Sequence, residues 1–417
     1  MNVVHLNTSD FGGAAVAAIQ LHQALLEKGV GSDLLTLTWT RNDVQRHHLV
    51  ESFALNGSPT WNRMRYKIRR GLERTGLVQD RSNSPGNRML RPDRKDHEIF
   101  SFPFSWFSIL DHPLVQQADL IHLHWVGYGM IDHCDFFGRC SKPIVWTLHD
   151  MNPFTAGSHH TDEDESYRDG PDSSPQLKDP RKAQLLWKYK YDAVRQVPAE
   201  KLRLVAPSRW LADRAMASAM FKGRSCTVIP NGFDSRIFRP KDKVEARKEL
   251  GLPVDKRIIL FNALDVANPR KGMQHLLAAL RTMSTPDVQL VSVGHRGTLP
   301  QQEAIEFGFV QDPSRLATLY AAADVFVLPS VAENLPNTIA EAHLCGTPVV
   351  AFAVGGIPEQ VHAGNGRLAP LKDEVGLRHA VDEVLSLTWD RDGIAREAAA
   401  RYGRDRVAEA YLRQYSM

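Results

Sequence analysis

The chain has 417 residues, of which 43% are hydrophobic and 24% charged, and its formal net charge is +3. These values are typical of a folded protein with more than one domain, and the near-neutral charge gives no indication of a nucleic-acid partner. Its four cysteines form no CxxC pair, so neither a disulfide framework nor a zinc site is expected. The start has no secretory pattern and no apolar run approaches the roughly 20 residues of a membrane span, so we expect a cytoplasmic protein.

Short apolar runs alternate with helical patterns along the chain. An apolar run between turns is typical of a strand buried on both faces, and its alternation with helices predicts parallel sheets of βαβ units. Strands are predicted at 2–7, 32–38, 118–125, 143–150, 202–208, 257–264, 288–294, 323–330 and 347–352. Helices are predicted at 12–29, 208–220, 269–283, 314–323 and 393–415.

The alternation stops near residue 235 and then begins again, which predicts an α/β protein of two Rossmann-like, doubly wound domains facing across a cleft. We place the N-terminal domain at 1–200 and the C-terminal domain at 201–395. The final segment, 396–417, follows the second sheet, and its helical pattern is compatible with packing on either domain.

Two segments interrupt this organisation. Residues 61–74, within a basic insert at 61–95, carry six Arg or Lys and one Glu, with apolar residues at helical spacing. This basic amphipathic helix is expected either to pack on the first domain with a solvated face or to contact an anionic membrane peripherally. Residues 160–182 are rich in Asp, Ser and Pro, which predicts a long, mobile loop.

In open α/β sheets, ligands bind at the carboxyl ends of the strands. After the first predicted strand, Gly12 and Gly13 form a turn that is either a plain connection or an anion site at a helix start. His149 and Asp150 end another strand, where a histidine is placed to hydrogen-bond a sugar hydroxyl or accept a proton. Packing roles are expected instead for a second histidine pair, His122 and His124.

In the second half, Arg270 and Lys271 follow Pro269 and are expected in the first turn of a helix. Cations at that end oppose the helix dipole, which favours an anionic ligand such as a phosphate. Glu333 and Glu341 lie before and within another helix, with seven residues between them. Two carboxylates suit the vicinal hydroxyls of a sugar and a ribose. Neither an Asp-x-Asp pair nor a histidine cluster accompanies them, so no metal site is predicted.

In combination, these motifs resemble the retaining glycosyltransferases of family 4, which have the GT-B fold. The resemblance spans nearly the whole chain and rests on "FGGAA", "WTLHD", "APSRW", "VIPNGFD", "PRKG", "ENLPNTIAE" and "GTPVVAFAVGGIPEQV". It implies an acceptor-side N-terminal domain, a C-terminal domain that binds the nucleotide sugar, and a terminal helix that packs on the N-terminal domain.

The resemblance also implies roles for single residues. Glu333 would face the donor sugar, Glu341 the nucleotide ribose, and Lys271 with Arg270 the diphosphate. His149 would lie beside the transferred sugar, and the Gly12–Gly13 turn would line the donor or acceptor pocket. Backbone amides facing the sugar and phosphate are expected from Asn334, Leu335 and Pro336.

Two departures from the family pattern stand out. Many members carry Gly-Arg at the end of the first strand of the second domain, whereas this chain reads "FNALDVANPRK", so that Arg270 either substitutes or the phosphate contact is weaker. A subgroup of bacterial exopolysaccharide transferases is similar around "WTLHDMNPFTAGSHH" and often has four cysteines after it. Here those positions read Ser158, Asp164, Pro171 and Ser174, in agreement with a mobile loop.

The resemblance predicts a metal-independent hexosyltransferase without a cofactor. It would move a hexosyl unit from a nucleoside-diphosphate sugar to a glycan or lipid-linked glycan with retention, in polysaccharide biosynthesis. A nucleotide-sugar epimerase or hydrolase and a non-catalytic sugar-nucleotide-binding subunit remain alternatives. A dinucleotide dehydrogenase is the weakest, because no G-x-G-x-x-G follows the first strand.

Overall fold

The computed structural model describes residues 1–50, 99–105, 107–161, 164–174, 177, 179–295 and 304–416. The basic insert 61–95, with its predicted helix 61–74, lies outside the described residues. The chain divides into two compact units. Unit 1 comprises Met1–Pro207, Leu211–Ile229 and Ala408–Met417, and unit 2 comprises Ser208–Trp210 and Pro230–Val407.

Unit 1 is built on a parallel sheet of seven described strands in the order β3-β2-β1-β4-β5-β6-β7. The strands are β1 Asn2–Leu6, β2 Gly31–Thr36, β3 His47–Leu49, β4 Leu120–Leu123, β5 Ile144–Thr147, β6 Leu202–Ala206 and β7 Cys226–Val228. The helices are α1 Gly13–Glu27, α2 Pro113–Gln117, α3 His133–Arg139, α4 Pro180–Arg195 and α5 Arg209–Ala217. The apolar side chains of β1, β4 and β5 are buried and form the centre of the core.

Unit 2 repeats the architecture with six described parallel strands in the order β10-β9-β8-β11-β12-β13. The strands are β8 Arg257–Asp265, β9 Val288–His295, β10 Ala304–Glu306, β11 Val325–Leu328, β12 Val349–Phe352 and β13 Gly366–Ala369. The helices are α6 Lys243–Leu250, α7 Met273–Leu280, α8 Pro313–Ala322, α9 Asn337–Leu344, α10 Glu374–Ser386 and α11 Arg391–Tyr402. A final helix, α12 Arg404–Tyr415, ends the chain.

This architecture confirms the predicted fold class of two Rossmann-like parallel sheets. All nine predicted strands are present, with shifted ends. The sequence analysis missed four strands, β3, β7, β10 and β13, which are the outer strands of the two sheets. They have only three or four residues each, and an outer strand is covered less completely than a central one. The long apolar run that marks a buried strand is therefore missing from them.

The sequence placed the domain boundaries differently from the structure. A boundary at residue 200 falls too early, because β6 pairs with β5 and β7 pairs with β6 in the first sheet. The pattern at 393–415 is two helices rather than one. Gly403 separates the two helices. On either side of it, the N–H of Phe233 donates to the carbonyl of Tyr402 and the N–H of Arg404 donates to the carbonyl of Phe233.

The end of α12, from Ala408 onward, belongs to unit 1. The hydroxyl of Tyr415 lies 2.7 Å from Nδ1 of His122, and that of Tyr411 lies 2.9 Å from Oγ1 of Thr147. These buried polar contacts attach the helix to β4 and β5. Within the described part of the chain, we find no helix with both the length and the apolar character that crossing a membrane requires.

Candidate active site

In unit 2 the strand order reverses between β8 and β11, and the loops after these two strands carry the predicted phosphate and sugar residues. Arg270 and Lys271 lie in a short 3₁₀ turn, Pro269–Lys271, and not in the first turn of α7 as the sequence suggested. Gly272 separates the turn from the helix with a left-handed backbone, φ 76°. The side chain of Asn268 caps the turn by accepting from the N–H of Arg270 at 2.9 Å.

Backbone contacts join the loop after β8 to the loop after β11. A Cβ atom at Gly272 would lie 1.8 Å from the carbonyl oxygen of Pro329, so only glycine permits this approach. The N–H of Val331 donates to the carbonyl of Arg270 at 2.9 Å, and Nη1 of Arg270 donates to the carbonyl of Ala332 at 2.8 Å. The two loops therefore hold each other in register.

This junction places opposite charges in contact. Nζ of Lys271 lies 2.5 Å from Oε1 of Glu333, and Nη1 of Arg270 lies 4.0 Å from the same oxygen. The Lys271 side chain is 22% exposed and that of Glu333 10%, so the pair is largely withdrawn from water but still reachable. The predicted phosphate and sugar residues thus form one cluster.

A glycine pair after β12 supports Glu333 and Asn334 from the other side. Cβ atoms at Gly355 and Gly356 would lie 1.7 Å and 2.4 Å from the carbonyl oxygens of Glu333 and Asn334. The N–H of Gly356 donates to the carbonyl of Asn334 at 2.7 Å, and Ser208 Oγ donates to the side-chain oxygen of Asn334 at 2.6 Å. The motif "AVGGIPE" carried this signal, but sequence reasoning gave the glycines no role.

Helix α9 begins directly after this cluster, with Pro336 at its N-cap position. Proline has no backbone N–H, so the expectation that Pro336 offers an amide to the ligand is wrong. Pro336 also offers no side-chain hydrogen bond to the first turn of α9, whose dipole favours an anion near the helix start. Asn334 and Leu335 are buried in the connection that precedes the helix.

Glu341 lies one turn into α9 and is 6% exposed. Its Oε2 accepts from the hydroxyl of Tyr320 at 2.9 Å, and that hydroxyl accepts from Nδ2 of Asn262 at 2.8 Å. Burial raises the pKa of Glu341 to about 7, against the opposing effect of the Tyr320 hydrogen bond. Sequence reasoning missed Tyr320 and Asn262, because one lies in an apolar helix and the other in a buried strand.

In unit 1 the strand order reverses between β1 and β4. The connection after β1 leads through Gly12, whose φ of 86° only glycine adopts readily, to the start of α1 at Gly13. Thr8 joins the loop after β1 to the loop after β4. Its N–H donates to the carbonyl of Trp125 at 2.8 Å, and its hydroxyl donates to the carbonyl of Gly127 at 2.7 Å. The predicted anion turn therefore lies at the ligand edge of this sheet.

His149 and Asp150 follow β5 and are half-buried. Burial lowers the pKa of His149 to about 4, although the adjacent Asp150 opposes this effect. Burial also opposes the ionisation of Asp150, but His159, His160 and the N–H of Asn152 together outweigh it and lower the pKa of Asp150 to about 2. Oδ2 of Asp150 accepts from the indole of Trp125 at 2.8 Å and lies 2.5 Å from Nδ1 of His159. At neutral pH the structure thus holds a neutral imidazole beside a carboxylate.

The histidine pair of β4 only partly follows the expected packing role. His122 is buried and its ring nitrogens meet the hydroxyls of Tyr415 and Thr147, at 2.7 Å and 2.8 Å. His124 lies just after β4 and its Nδ1 is 3.2 Å from Nε2 of His149. The second histidine therefore contacts a predicted site residue.

The described residues of the segment 160–182 lie mostly in a loop, with a 3₁₀ turn at Ser166–Arg168 and the start of α4 at Pro180, and side-chain contacts anchor them. Asp172 is buried and accepts from the N–H of Ala156 at 2.6 Å and from the hydroxyls of Ser158 and Ser174 at 2.6 Å and 2.7 Å. Tyr167, in a short 3₁₀ turn, is also buried. A buried carboxylate with three donors holds this loop where related sequences were expected to use cysteines.

Comparisons with known proteins agree with this architecture. Solved structures of similar fold include sucrose-phosphate synthase from Thermosynechococcus elongatus, with a TM-score of 0.66 and 19% identity over 100% of this chain and 98% of that one. Anabaena HepE in complex with UDP-glucose has a TM-score of 0.62 and 18% identity over 100% and 99% of the two chains. These likenesses place the protein in the GT-B fold class.

Family profiles and curated relatives are more specific. The profile described as Glycosyltransferase Family 4 matches residues 11–236, more than half of the chain, and that described as Glycosyl transferases group 1 matches 255–386. The chain belongs to glycosyltransferase family 4. A D-inositol 3-phosphate glycosyltransferase of Segniliparus rotundus is 34% identical over 182 residues, which are 40% of this chain and 40% of that protein. The match therefore covers well under two thirds of the curated relative.

Proposed function

We propose that this protein transfers a hexosyl unit from a nucleoside-diphosphate sugar to a glycan or lipid-linked glycan acceptor, with retention of the anomeric configuration. The proposal rests chiefly on the contact of Lys271 and Arg270 with Glu333 at the switch point of unit 2. Two cations suited to a phosphate thereby lie beside a carboxylate suited to sugar hydroxyls. Family membership and the UDP-glucose complex of Anabaena HepE support a nucleotide-sugar donor.

Each residue has a role that follows from its charge and position. Lys271 and Arg270 carry positive charge toward the diphosphate, and the start of α9 adds its backbone dipole. Glu333 accepts hydrogen bonds from sugar hydroxyls, and Glu341 accepts them from the ribose. Lys271 and Glu333 neutralise each other in their contact, so a bound donor would exchange that contact for its own phosphate and hydroxyl groups.

The transfer needs no enzyme carboxylate as nucleophile. The bond between the anomeric carbon and the phosphate oxygen breaks, and its electron pair passes to the diphosphate, which Lys271 stabilises. The acceptor oxygen bonds the anomeric carbon on the same face. Its proton passes to the departing phosphate oxygen. His149, as a neutral ring beside Asp150, is assigned to a sugar hydroxyl.

The wider setting of the reaction is also a proposal. The similarity around "WTLHDMNPFTAGSHH" favours polysaccharide biosynthesis at the inner face of the cell membrane. Peripheral contact of residues 61–74 with anionic lipid is proposed from their sequence alone. We propose further that the reaction requires neither a metal nor a cofactor, since the cations Lys271 and Arg270 supply the charge that a metal would provide.

The test begins with thermal-shift measurements on UDP, GDP, ADP and dTDP sugars, since a ligand that binds the folded chain raises its melting temperature. The best-stabilising donor is then incubated with and without acceptors, including D-inositol 3-phosphate and polyprenyl-linked saccharides. We expect donor consumption to rise at least tenfold with one acceptor, and the product to keep the donor's anomeric configuration. Donor consumption that is equal without any acceptor would indicate a hydrolase or epimerase and overturn the proposal.

A further inference from the structure

Three histidines of unit 1 form a hydrogen-bonded chain that leads from the site into the core. Nε2 of His149 lies 3.2 Å from Nδ1 of His124, and Nε2 of His124 lies 3.0 Å from Nδ1 of His5. His124 is 3% exposed and His5 is fully buried in β1. The half-buried His149 thus connects to two rings without access to water.

The ring geometry agrees with N–H···N hydrogen bonds. The planes of His5 and His124 differ by 28° with ring centres 5.3 Å apart, and those of His124 and His149 by 24° with centres 5.5 Å apart. Ring centres in face-to-face contact would lie closer than this. The rings therefore meet edge to edge, with the nitrogens between them.

All three rings are neutral at neutral pH. Burial lowers the pKa values of His5 and His124 well below the usual range, with the neighbouring histidines adding to the effect, and burial lowers that of His149 to about 4. A neutral imidazole carries one proton, so one of its nitrogens donates and the other accepts. The central ring, His124, consequently donates to one neighbour and accepts from the other, and all bonds in the chain point the same way.

The inner end of the chain decides the direction. Nε2 of His5 is buried and has no hydrogen-bond partner among the described residues. A buried N–H without an acceptor is a rarer defect in native proteins than an acceptor without a donor. The proton of His5 therefore lies on Nδ1 and is donated to Nε2 of His124, whose own proton on Nδ1 is donated to Nε2 of His149.

We propose that His124 and His5 are positioning residues that hold His149 in the tautomer with its proton on Nδ1. In that tautomer Nδ1 of His149 is a hydrogen-bond donor and not a base. Of the two roles that the sequence left open for His149, this selects the hydrogen bond to a sugar oxygen. The tautomer follows from unit 1 alone, and only the identity of the ligand rests on the proposed function.

A metal site is the competing interpretation of these histidines. One ring nitrogen each from His5, His122 and His124 lies within 4.8 Å of the others, a spacing compatible with shared coordination. Both nitrogens of His122 and of His124, however, already have hydrogen-bond partners in the hydroxyls of Thr147 and Tyr415 and in the other rings. Coordination would break several of these bonds, so we assign the hydrogen-bonded chain.

Long-range ¹H–¹⁵N spectra of the full chain labelled with ¹⁵N-histidine test this directly, with His149→Asn to assign the signals. In the protein without added ligand, at about pH 7.5, we expect Nδ1 of His149 to be protonated and Nε2 to be unprotonated. The opposite pattern, or signals averaged between two tautomers, would overturn the proposal. Stoichiometric zinc or another transition metal in the purified protein would overturn it as well.

Two variants separate positioning from general packing. His124→Leu removes the donor to His149, and we expect the two nitrogen signals of His149 to move toward an average of both tautomers. The matched control is His133→Leu, because His133 is 4% exposed, close to the 3% of His124, but its ring contacts Pro103, Phe137 and Trp146 and none of the three histidines. An unchanged His149 spectrum in His124→Leu, or an equal change in both variants, would contradict the assignment. If either variant fails to fold, the tautomer of His149 in the wild-type spectrum remains the test of the proposal.

An activity comparison connects the tautomer to the ligand. The side-chain amide of an asparagine at this position would place an N–H near the position of Nδ1, whereas that of a glutamine would place it near Nε2. We therefore expect His149→Asn to keep at least tenfold more turnover than His149→Gln. If the spectra show the Nδ1 tautomer but both variants are equally active, the tautomer stands and the sugar contact is wrong.

Discussion

The ammonium of Lys271 lies 2.5 Å from Oε1 of Glu333, although the two residues are 62 positions apart in the chain. The contact depends on Gly272, whose backbone lies against the carbonyl of Pro329. A cation proposed for the phosphate and an anion proposed for the sugar therefore form one ion pair. Both binding and stability can be used to test this pair.

Removing the ammonium should mainly affect catalysis. We expect Lys271→Ala to reduce turnover by about 10²–10³-fold, the loss typical of one preorganised electrostatic group. Lys248→Ala is the matched control, because Lys248 pairs with Glu245 on an exposed face of α6. Steady-state kinetics with the best donor measures both. Turnover of Lys271→Ala within threefold of the wild type would exclude the phosphate role.

The neighbouring arginine tests the departure from the family pattern. Arg270 points toward Glu333 from 4.0 Å and bonds the carbonyl of Ala332. If Arg270 replaces the missing Gly-Arg arginine, Arg270→Ala should lower turnover as strongly as Lys271→Ala does. Arg270→Lys should recover only part of it, because an ammonium lacks the guanidinium fork. Near-normal turnover in Arg270→Ala would limit this residue to holding the loop.

Glu333 competes with the phosphate for Lys271, so its removal should separate nucleotide binding from transfer. We expect Glu333→Gln to raise the affinity for the nucleoside diphosphate about fivefold, the effect of about 1 kcal/mol. Turnover should fall, because a sugar contact is lost. Isothermal calorimetry and kinetics measure the two effects, with Glu245→Gln as an exposed control. A fall in nucleotide affinity would show that Glu333 contacts the nucleotide itself.

We expect the carboxylate of Glu341 to contribute to nucleotide affinity. At a pH above the Glu341 pKa of about 7, where the carboxyl is ionised, loss of this acceptor of ribose hydroxyls should cost about 1.5 to 3 kcal/mol, so Glu341→Ala should weaken nucleotide binding by about 10- to 150-fold. Tyr320→Phe removes only the hydroxyl that bonds this carboxylate and should give a smaller loss. Calorimetry that shows unchanged affinity in Glu341→Ala would remove the ribose role.

The same residue predicts a pH dependence of stability. Burial raises the pKa of Glu341 to about 7 from 4.5, so its contribution to stability is full below about pH 4.5 and is lost as the pH rises through 7. The total is about 3 kcal/mol. We expect the melting temperature of the wild type, relative to that of Glu341→Gln, to fall between pH 5 and pH 8. Parallel melting curves for the two proteins would contradict the raised pKa.

The backbone contact below Lys271 gives a prediction about stability. In Gly272→Ala the new Cβ would clash with the carbonyl oxygen of Pro329. The left-handed backbone, φ 76°, adds a conformational cost of about 1 to 3 kcal/mol for alanine. Gly251→Ala is the control, since Gly251 has φ 66° but no atom within 4 Å of a Cβ. We expect Gly272→Ala to have clearly the lower melting temperature and weaker nucleotide binding. Equal melting temperatures would mean that the two loops do not depend on this approach.

The sequence by itself determined the two sheets and most of the candidate site residues. The central strands could be predicted because both of their faces are buried, which requires uninterrupted apolar runs such as those of β5 and β11. Candidate site residues such as His149 and Glu333 could be predicted because they lie in the connections that follow those runs, at the edge where parallel strands end. Local pattern was sufficient for both.

Only the tertiary structure decided the outer strands and the partners of the site residues. Strands β3 and β10 contain too few apolar residues to be recognised from the sequence, because backbone pairing with a neighbouring strand stabilises them more than burial does. The contact of Tyr320 with Glu341 and the chain from His149 to His5 join residues on different elements. No local pattern encodes such contacts, since they depend on how distant segments pack. The packing therefore determined which of the predicted residues are paired, buried or protonated.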